Sequence, residues 1–365
     1  MKVTVTHENL IKAITQVGHI IHPRNALEIL STIKLSTDKS ILVLQTNNLE
    51  AALQASIPAS VATQGSVCVP TRLFQDLIGN IKDDKIELSV KDNTLLIKTA
   101  STNTEIAGFG ASEFPAIPEV ASTQSLDLPV EELRRGIARA IVAVGIDDAR
   151  PVLSGIFIQA KDKTLTIAAT DSYRLSEQQI TIKPQGEISV IVPAATLQEV
   201  LRLLQNSHAE HITLQISEAA LKLEHESTVL VAQLINGKYP DYAKIIPEKT
   251  AISLRLNRDE LLQAVRTTAL FSREGSLGLT MTVADEQLTL RAQTASVGTS
   301  ESKLSIPKAT SPASIVLNAK YLLDALNCLD SEMVEIGINS ELEPLLVRPI
   351  DQADKFVHII MPLRG

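Results

Sequence analysis

One short segment occurs three times in the chain, as ENLIKAI at residues 8–14, EELRRGI at 131–137 and DELLQAV at 259–265. Each copy starts with a carboxylate and then places apolar residues four positions apart. This is the pattern of an amphipathic helix whose acidic first turn favours the positive end of the helix dipole. The copies are spaced 123 and 128 residues apart, so the sequence predicts three copies of one domain.

A second helix marker repeats in the same register. VPTRLFQD at residues 69–76, VPAATLQE at 192–199 and LNAKYLLD at 317–324 each place Pro or Asn where a helix can begin. Counted from the first Leu of the first marker (Leu10, Leu133 and Leu261), the Pro or Asn of the second marker follows by 60, 60 and 57 residues, so two independent patterns share one period. Each copy is therefore expected to contain two helices.

Runs that alternate polar and apolar residues accompany the helices, for example at residues 86–90, 212–216 and 334–338. This alternation is typical of antiparallel strands with one buried face. Together the patterns predict an α+β fold of three repeated domains, each with two helices packed on antiparallel sheets. The expected domains are residues 1–122, 123–248 and 249–365.

The composition excludes several classes of protein. The 365 residues carry 34 basic and 42 acidic side chains, and the net charge of −8 argues against a generally basic DNA-coating protein. Six Phe, four Tyr and no Trp argue against a stacking platform for single-stranded nucleic acid. Two cysteines without a CxxC pair give neither a disulfide framework nor a thiolate metal site. No apolar run reaches the ~20 residues of a membrane helix, so a cytoplasmic location is expected.

Basic residues collect on the helix faces that the core does not require. They are Lys12, Arg72, Arg134, Arg135, Arg139, Arg202, Arg266 and Lys320. On the second helices only Asp76, Glu199 and Asp324 oppose them. One interpretation is a set of solvated helix faces that need no ligand. The other is a curved surface, lined by six helices, that meets phosphates without reading bases.

The whole chain resembles the bacterial sliding clamps, the beta subunits of DNA polymerase III. The most specific segments are ATDSYRL at residues 169–175, KYPDY at 238–242, NAKY at 318–321 and MPLR at 361–364. The resemblance implies the DNA clamp fold, in which two chains pair head to tail as a homodimeric ring with helices inside and sheets outside. It implies a DNA polymerase processivity factor that encircles double-stranded DNA, slides along it and performs no chemical reaction.

The resemblance also implies a cleft for partner peptides between the second and third domains. In the family, the replicative DNA polymerase, the clamp loader and other proteins with a clamp-binding motif insert a short apolar segment there. The matching residues are Leu153, Thr170, Ser172, Tyr173, Arg174, Leu175, Pro240, Lys244, Ile245, Asn318, Tyr321, Ile359, Ile360, Met361, Pro362, Leu363 and Arg364. Apolar side chains would form the floor, and Arg174 and Asn318 would orient an extended ligand.

Some positions depart from the family pattern or have a second interpretation. Residues 359–362 could instead be only the last edge strand of a sheet. Ser276 and Gly365 stand where relatives carry bulkier apolar residues, which leaves the affinity of the cleft open.

Two further basic residues join the DNA-facing set by resemblance. Arg24 matches a basic residue that resembles a DNA contact in the family. Arg150 follows Asp147 and Asp148 in the sequence, and its positive charge would offset the repulsion between these two carboxylates and the DNA phosphates. The two carboxylates are consistent with a divergent or accessory clamp copy.

For the ring contact, the resemblance points to Leu270 and Phe271 of one chain meeting the strand around Thr104 and Ile106 of the other. Edge strands that pair across such an interface satisfy backbone groups that an open sheet leaves exposed. The alternative is that Leu270 and Phe271 belong to the core.

Enzymatic interpretations find little support. His19 with His22, and His208 with His211, have metal-ligand spacing but no nearby Cys and no clear third ligand, so neither a metal nor a cofactor is expected. The segment at 169–175 has a partial echo at Thr46-Asn47-Asn48 and lacks an acid or base partner, which argues against an active site. The competing function is a three-domain scaffold that binds peptides but never encircles DNA.

Overall fold

All three copies of the first marker form helices in the computed structural model, which describes residues 1–21, 27–121, 124–146, 149–183, 186–205, 207–272, 278–294, 298–351 and 353–363. The second marker forms a helix in each copy as well. The helices in these ranges are α1 (His7–Gly18), α2 (Thr71–Asn80), α3 (Val130–Ile141), α4 (Ala194–Leu204), α5 (Arg258–Ala269) and α6 (Ala319–Asn327).

The helices begin where the sequence markers place them. Asn257 caps α5, since its side chain accepts hydrogen bonds from the backbone N–H groups of Asp259 and Glu260. Asn318 caps α6 in the same way through the N–H of Lys320. These caps fix where the two helices of the third copy start.

The chain divides into two compact units. Unit 1 comprises residues 1–130 and 195–234, and unit 2 comprises residues 131–194 and 235–365. In both units the strand pairs are antiparallel, as the alternation in the sequence predicts.

Unit 1 contains two sheets among its described residues. In spatial order, the strands of the five-stranded sheet are β5 (Ser60–Thr63), β1 (Lys2–Thr6), β7 (Lys85–Lys91), β8 (Thr94–Lys98) and β9 (Asn103–Ala107). The strands of the eight-stranded sheet are β10 (Gln124–Pro129), β15 (His211–Ile216), β16 (Ala220–His225), β17 (Thr228–Gln233), β4 (Ala51–Pro58), β3 (Ile41–Asn47), β2 (Thr32–Asp38) and β6 (Ser66–Pro70). Leu10, Ile14 and Val17 of α1 are buried, and this helix packs on β3, β4 and α2.

Unit 2 also contains two sheets in the ranges given above. The eight-stranded sheet has the order β14 (Ile188–Pro193), β11 (Gly155–Lys161), β12 (Thr164–Thr170), β13 (Arg174–Thr181), β25 (Phe356–Ile360), β24 (Leu345–Pro349), β23 (Met333–Ile338) and β18 (Ile252–Asn257). The four-stranded sheet has the order β21 (Gly298–Ser305), β20 (Gln287–Thr294), β19 (Gly278–Ala284) and β22 (Ala313–Asn318). Val265 of α5 and Leu322 of α6 join Leu279 and Leu290 in one buried apolar cluster.

Each large sheet combines strands from two neighbouring sequence repeats. β4 pairs with β17 in unit 1, and β13 pairs with β25 in unit 2. Because the hydrogen-bonded ladders continue from one repeat into the next, compact packing does not follow the sequence period. The domain boundaries at residues 122 and 248 stay a prediction.

No helix within the described ranges is both long enough and apolar enough to cross a membrane.

Candidate functional site

A tight loop between β12 and β13 organises the segment at residues 169–175 of the predicted cleft. The Asp171 carboxylate accepts hydrogen bonds from the backbone N–H groups of Tyr173 and Arg174, both at 2.9 Å. Thr170 Oγ1 accepts from the N–H of Ser172 at 3.1 Å. Ser172 has a φ of 76°, in the left-handed region. This conformation leaves the Tyr173 side chain 62% exposed.

Arg174 ties this loop to α6. Its guanidinium donates to Asp171 at 3.1 Å and to Asp324 at 2.5 Å. The guanidinium carbon lies 4.2 Å from the centroid of the Tyr321 ring, within the range of a cation–π contact. The two carboxylates compensate the charge of this largely buried arginine, so Arg174 holds the walls of the site together.

The segment that follows β25 lies against the same loop. The Met361 N–H donates to the Tyr173 carbonyl at 2.8 Å, and the Leu363 N–H donates to the Val316 carbonyl at 2.8 Å. β25 is hydrogen-bonded on both sides, to β13 and β24, so the alternative that Ile359 and Ile360 form an edge strand is wrong. Met361 to Leu363 continue past this interior strand.

The segment around Pro240 forms another part of the site. The Tyr239 hydroxyl accepts from the Thr170 N–H at 2.9 Å, and the Tyr239 ring stacks on Phe157 at 5.0 Å between centroids. Burial raises the pKa of the Tyr239 phenol, so it stays neutral. Pro240 follows it on the surface.

The predicted cleft residues separate into an exposed group and a buried group. At least partly exposed are Ser172, Tyr173, Pro240, Lys244, Ile245, Tyr321, Met361, Pro362 and Leu363. Buried are Leu153, Thr170, Arg174, Leu175, Asn318, Ile359 and Ile360. The buried group can support a binding surface but is not exposed on it. Arg364, Ser276 and Gly365 lie outside the described residues.

Three of the predicted DNA-facing residues lie in unit 1, and all three are exposed. Lys12 is on α1, Arg72 on α2 and Arg202 on α4. Arg202 pairs with Glu199 one turn earlier on α4. Arg24 falls outside the described residues.

The remaining predicted DNA-facing residues lie in unit 2. Arg134 and Arg135 of α3 pair with Glu131 and Glu132 at 2.7 and 2.6 Å. Three more contribute cations at or near the surface, whereas Arg139 does not: Arg150 donates to Ser172 Oγ at 2.8 Å, Arg266 donates to Asn327 at 3.0 Å, and Lys320 is exposed. Asp147 and Asp148 lie outside the described residues.

The prediction that Arg139 faces DNA is wrong. Arg139 is 2% exposed, and its guanidinium donates to both oxygens of Asp354, at 2.6 and 2.8 Å, and to Gln178. It also donates to the Cys328 carbonyl and lies over the Phe356 ring. The helix periodicity placed Arg139 on the polar side of α3. Asp354, which is 215 residues away in the chain, is the partner that makes its burial possible.

The residues predicted for the dimer contact lie at or beside sheet edges. Thr104 and Ile106 are in β9, the terminal strand of its sheet, and Ile106 is buried. Leu270 is 53% exposed, so the alternative that it is a core residue is wrong. Phe271 is half-buried and packs against the unit 2 core, beside Gly298 at the start of the edge strand β21.

Of the four histidines with metal-like spacing, the structure describes His19, His208 and His211. Within the described part of the chain, no group of three His, Cys, Asp or Glu residues could hold a metal ion. His211 contacts Asp127 at 3.1 Å. Burial and the neighbouring Arg202 lower the pKa of His19. His22 is not among the described residues.

Family models match almost the whole chain. They are the N-terminal, central and C-terminal domains of the DNA polymerase III beta subunit, at residues 1–118, 127–241 and 243–364. Similar relatives named beta sliding clamp come from Staphylococcus epidermidis, 26% identical, and Chlamydia muridarum, 25% identical. In both cases the match covers 100% of this chain and 99% of the relative.

Solved structures agree with the family match. The DNA polymerase III subunit beta of Pseudomonas aeruginosa is 25% identical with a TM-score of 0.95, over 100% of both chains. A sliding clamp from the same organism, bound to griselimycin, is 25% identical with a TM-score of 0.94, again over 100% of both chains. The sliding clamp of Bacillus subtilis, 21% identical with a TM-score of 0.95 over 100% of this chain and 99% of that one, has the same fold.

Proposed function

The chain belongs to the DNA polymerase III beta subunit family and is a processivity factor of the sliding clamp type, and we propose that two copies of it close head to tail around duplex DNA. The observation that carries the proposal is the match of all three beta subunit domains, in order, along one chain. Two such chains would supply six domains to a ring. The boundaries near 122 and 248 belong to this proposal.

Exposed sheet edges support the head-to-tail contact. β9 ends the five-stranded sheet of unit 1, and β21 ends the four-stranded sheet of unit 2. An edge strand presents unpaired N–H and C=O groups that another strand can satisfy. We propose that β9 of one copy pairs with β21 of the other, with Leu270 and Phe271 packing beside Thr104 and Ile106.

The basic helix residues support sequence-independent DNA binding. The chain is acidic overall, with a net charge of −8, yet exposed cations lie on α1, α2, α4, α5 and α6, and half-buried ones lie on α3. Charges of this kind attract phosphates without reading base edges, and the attraction weakens as salt rises. A ring needs only weak attraction of this kind, because topology keeps it on the DNA while it slides.

The cleft around Tyr173, Tyr321 and Met361 is proposed as the site for partner peptides. It combines apolar side chains with a few fixed polar groups, which suits short extended ligands. The partners proposed are the replicative polymerase, the clamp loader and other proteins with a clamp-binding motif. That a Pseudomonas aeruginosa relative was solved bound to griselimycin supports a ligand site in the family.

The proposal further includes a cytoplasmic protein that catalyses no reaction and needs no metal or cofactor. The scaffold that binds peptides without encircling DNA is not favoured, because the family match extends over all three clamp domains.

Retention on circular DNA tests the ring. The protein is loaded onto a nicked circular plasmid by its clamp loader, and half of the sample is cut with a restriction enzyme. A closed ring stays on the circle through gel filtration and slides off the linear form, because only topology holds it. Equal retention on both forms would indicate ordinary binding and overturn the proposal.

A further inference from the structure

Unit 1 contains a loop with the same geometry as the Thr170–Arg174 loop of unit 2. It connects β3 to β4, at residues 47–51. The Asn48 side chain accepts from the N–H groups of Glu50 at 3.0 Å and Ala51 at 2.7 Å, as Asp171 does in unit 2. The Asn47 side chain accepts from the Leu49 N–H at 2.8 Å, as Thr170 does from Ser172. The loop at residues 47–51 is therefore the internal copy of the cleft loop.

The correspondence extends to the backbone and to the neighbouring strand. Leu49 has a φ of 75°, against 76° for Ser172. β17 pairs with β4 as β25 pairs with β13, and the Gln233 N–H donates to the Glu50 carbonyl at 2.8 Å. In unit 2 the Met361 N–H donates to the Tyr173 carbonyl at the same distance. Both loops thus hold the end of a neighbouring strand.

A groove of about 240 Å³ opens beside this loop. One wall is the loop itself, and the other sides are the end of β17 and the segment 115–118, whose Pro115 carbonyl accepts from the Asn47 side chain at 3.5 Å. Most of the lining is small or apolar: Leu49, Ala51, Ala52, Pro115, Ala116, Pro118, Ala220, Val231 and Ala232. The groove lies entirely within unit 1.

Leu49 is the feature of this groove that packing does not explain. It is 52% exposed, although its side chain is large and apolar. It also holds a left-handed backbone conformation that is disfavoured for a residue with a Cβ. Strain of this kind persists where the surrounding structure imposes it, and it is concentrated at ligand sites. Leu49 is therefore placed to act as an apolar anchor at the rim.

The charge of the groove differs from that of the cleft in unit 2. Ala51 occupies the position of Arg174, since Ala51 follows the loop and starts β4 as Arg174 starts β13. Among the lining residues Glu50 is the one ionisable side chain, and it is exposed. The groove therefore complements an apolar ligand that carries a positive charge next to Glu50.

We propose that this groove is a second peptide site, which binds an extended and mainly apolar segment of a partner protein with a basic residue beside Glu50. The proposal rests on the proposed function in one respect, because it takes the equivalent cleft of unit 2 as a peptide site. It gives each chain two peptide sites of different charge preference.

Methyl NMR of the full-length protein, labelled at Leu and Val, tests the second site with two synthetic probes. The probes are acetyl-Arg-Leu-Pro-Leu-Ala-amide and the same peptide with Glu in place of Arg. We expect the Arg peptide to shift the Leu49 and Val231 methyl signals saturably and to bind about threefold more tightly than the Glu peptide. Glu50→Gln should remove that difference.

Leu49→Asn removes the apolar anchor and keeps a residue type that accepts a left-handed backbone. We expect it to weaken binding at the groove at least fivefold. Leu342→Asn is the matched control, since Leu342 is 70% exposed and lies in unit 2. It should leave binding at the groove unchanged.

Three results would overturn the second site: no saturable shift at Leu49 and Val231 up to millimolar peptide, equal affinity for the two peptides, or undiminished binding by Leu49→Asn. Shifts confined to Leu363 would overturn the second site while supporting the cleft of unit 2. Retention on circular DNA tests the ring separately, so failure of the two proposals can be told apart.

Discussion

Arg134 and Arg139 are five positions apart on α3, yet the structure gives them different roles. The Arg134 side chain is 36% exposed and pairs with Glu131 at the surface, where an ion pair contributes little to stability. The Arg139 side chain is 3% exposed and is compensated by Asp354, Gln178 and the Cys328 carbonyl. A buried pair of this kind is costly to break, because the remaining charge loses its partner.

Replacement of each arginine by methionine separates stability from DNA binding. We expect Arg139→Met to lower the free energy of unfolding by about 3 kcal/mol, since it leaves Asp354 without its counter-charge. Arg134→Met should change it by less than about 0.5 kcal/mol but weaken DNA binding. Urea unfolding and DNA binding at low salt measure the two effects. Equal stability of both variants would contradict the buried ion pair.

His358 lies in the interior strand β25 and is fully buried. Neither of its ring nitrogens has a hydrogen-bond partner among the residues that the structure describes. Burial and, to a smaller extent, the nearby Arg174 guanidinium together lower the pKa of this imidazole to about 3. The ring is therefore neutral in the folded protein at neutral pH.

This burial makes stability depend on pH. In the unfolded chain His358 has a pKa of about 6.5, so between pH 6.5 and about 3 the unfolded state binds one more proton than the folded state. The contribution of His358 to the free energy of unfolding is therefore fully present above pH 6.5. It decreases by about 1.4 kcal/mol for each pH unit below 6.5, down to a pH of about 3. Urea unfolding measures the free energy of unfolding from pH 7 to pH 4. Below pH 6.5 this free energy should fall less steeply for His358→Leu than for the parent protein, by about 1.4 kcal/mol per pH unit. Parallel curves for the two proteins would contradict this assignment.

At the scale of elements, the short segment after β25 matters more for the site than the strand itself. Ile359 and Ile360 are buried between two neighbouring strands, whereas Met361 to Leu363 reach the surface. Backbone hydrogen bonds to Tyr173 and Val316 hold this segment in place. The strand therefore positions the segment, and the segment places apolar side chains at the surface of the proposed cleft.

Deletion of residues 361–365 removes this segment and leaves β25 intact. We expect polymerase binding to fall at least tenfold, because one apolar wall of the cleft is lost. The dimer should persist, since β9 and β21 are unchanged. Surface plasmon resonance with immobilised polymerase and gel filtration measure the two properties. Undiminished polymerase binding would refute the role of the segment.

At the scale of the whole molecule, the proposed function depends on closure between two copies, and the proposed contact uses the open edge of β9. The hydrogen bonds of the β8–β9 hairpin show which N–H groups face that edge. At the turn, the Thr99 N–H donates to the Thr102 carbonyl. In an antiparallel ladder, hydrogen-bonded and non-hydrogen-bonded pairs alternate, so Ile97 and Thr104 form the next hydrogen-bonded pair. Glu105 lies opposite Leu96 in a non-hydrogen-bonded pair, and its N–H therefore points away from β8. Glu105 therefore offers its donor at the open edge.

Glu105→Pro removes this donor without breaking a bond inside the sheet, and edge strands tolerate proline at such positions. We expect the dimer dissociation constant to rise at least tenfold, while Glu105→Ala leaves it unchanged. Analytical ultracentrifugation distinguishes one chain of 39.5 kDa from a pair. A parent protein that sediments as a single chain at micromolar concentration would refute closure at this edge.

The repeated domain, the positions of its helices and the family could all be predicted from the sequence. These features depend on local periodicity and on short motifs, such as the acidic first turn of α1 and the Asn before α6, which act within a few residues. The partial echo at Thr46-Asn47-Asn48 was visible as well. Only the structure gave it meaning, by placing Gln233 and Pro115 around that loop.

Which basic residues are exposed, and which apolar residues reach the surface of the proposed cleft, depends on the tertiary structure. Arg139 has the helix pattern of a surface arginine, but Asp354 reaches it from 215 residues away and makes it an interior group. Ile360 and Met361 are neighbours in the chain, yet the pairing of β25 buries the first and releases the second. Burial is set by contacts between residues that are distant in the chain, and a local pattern carries no information about them.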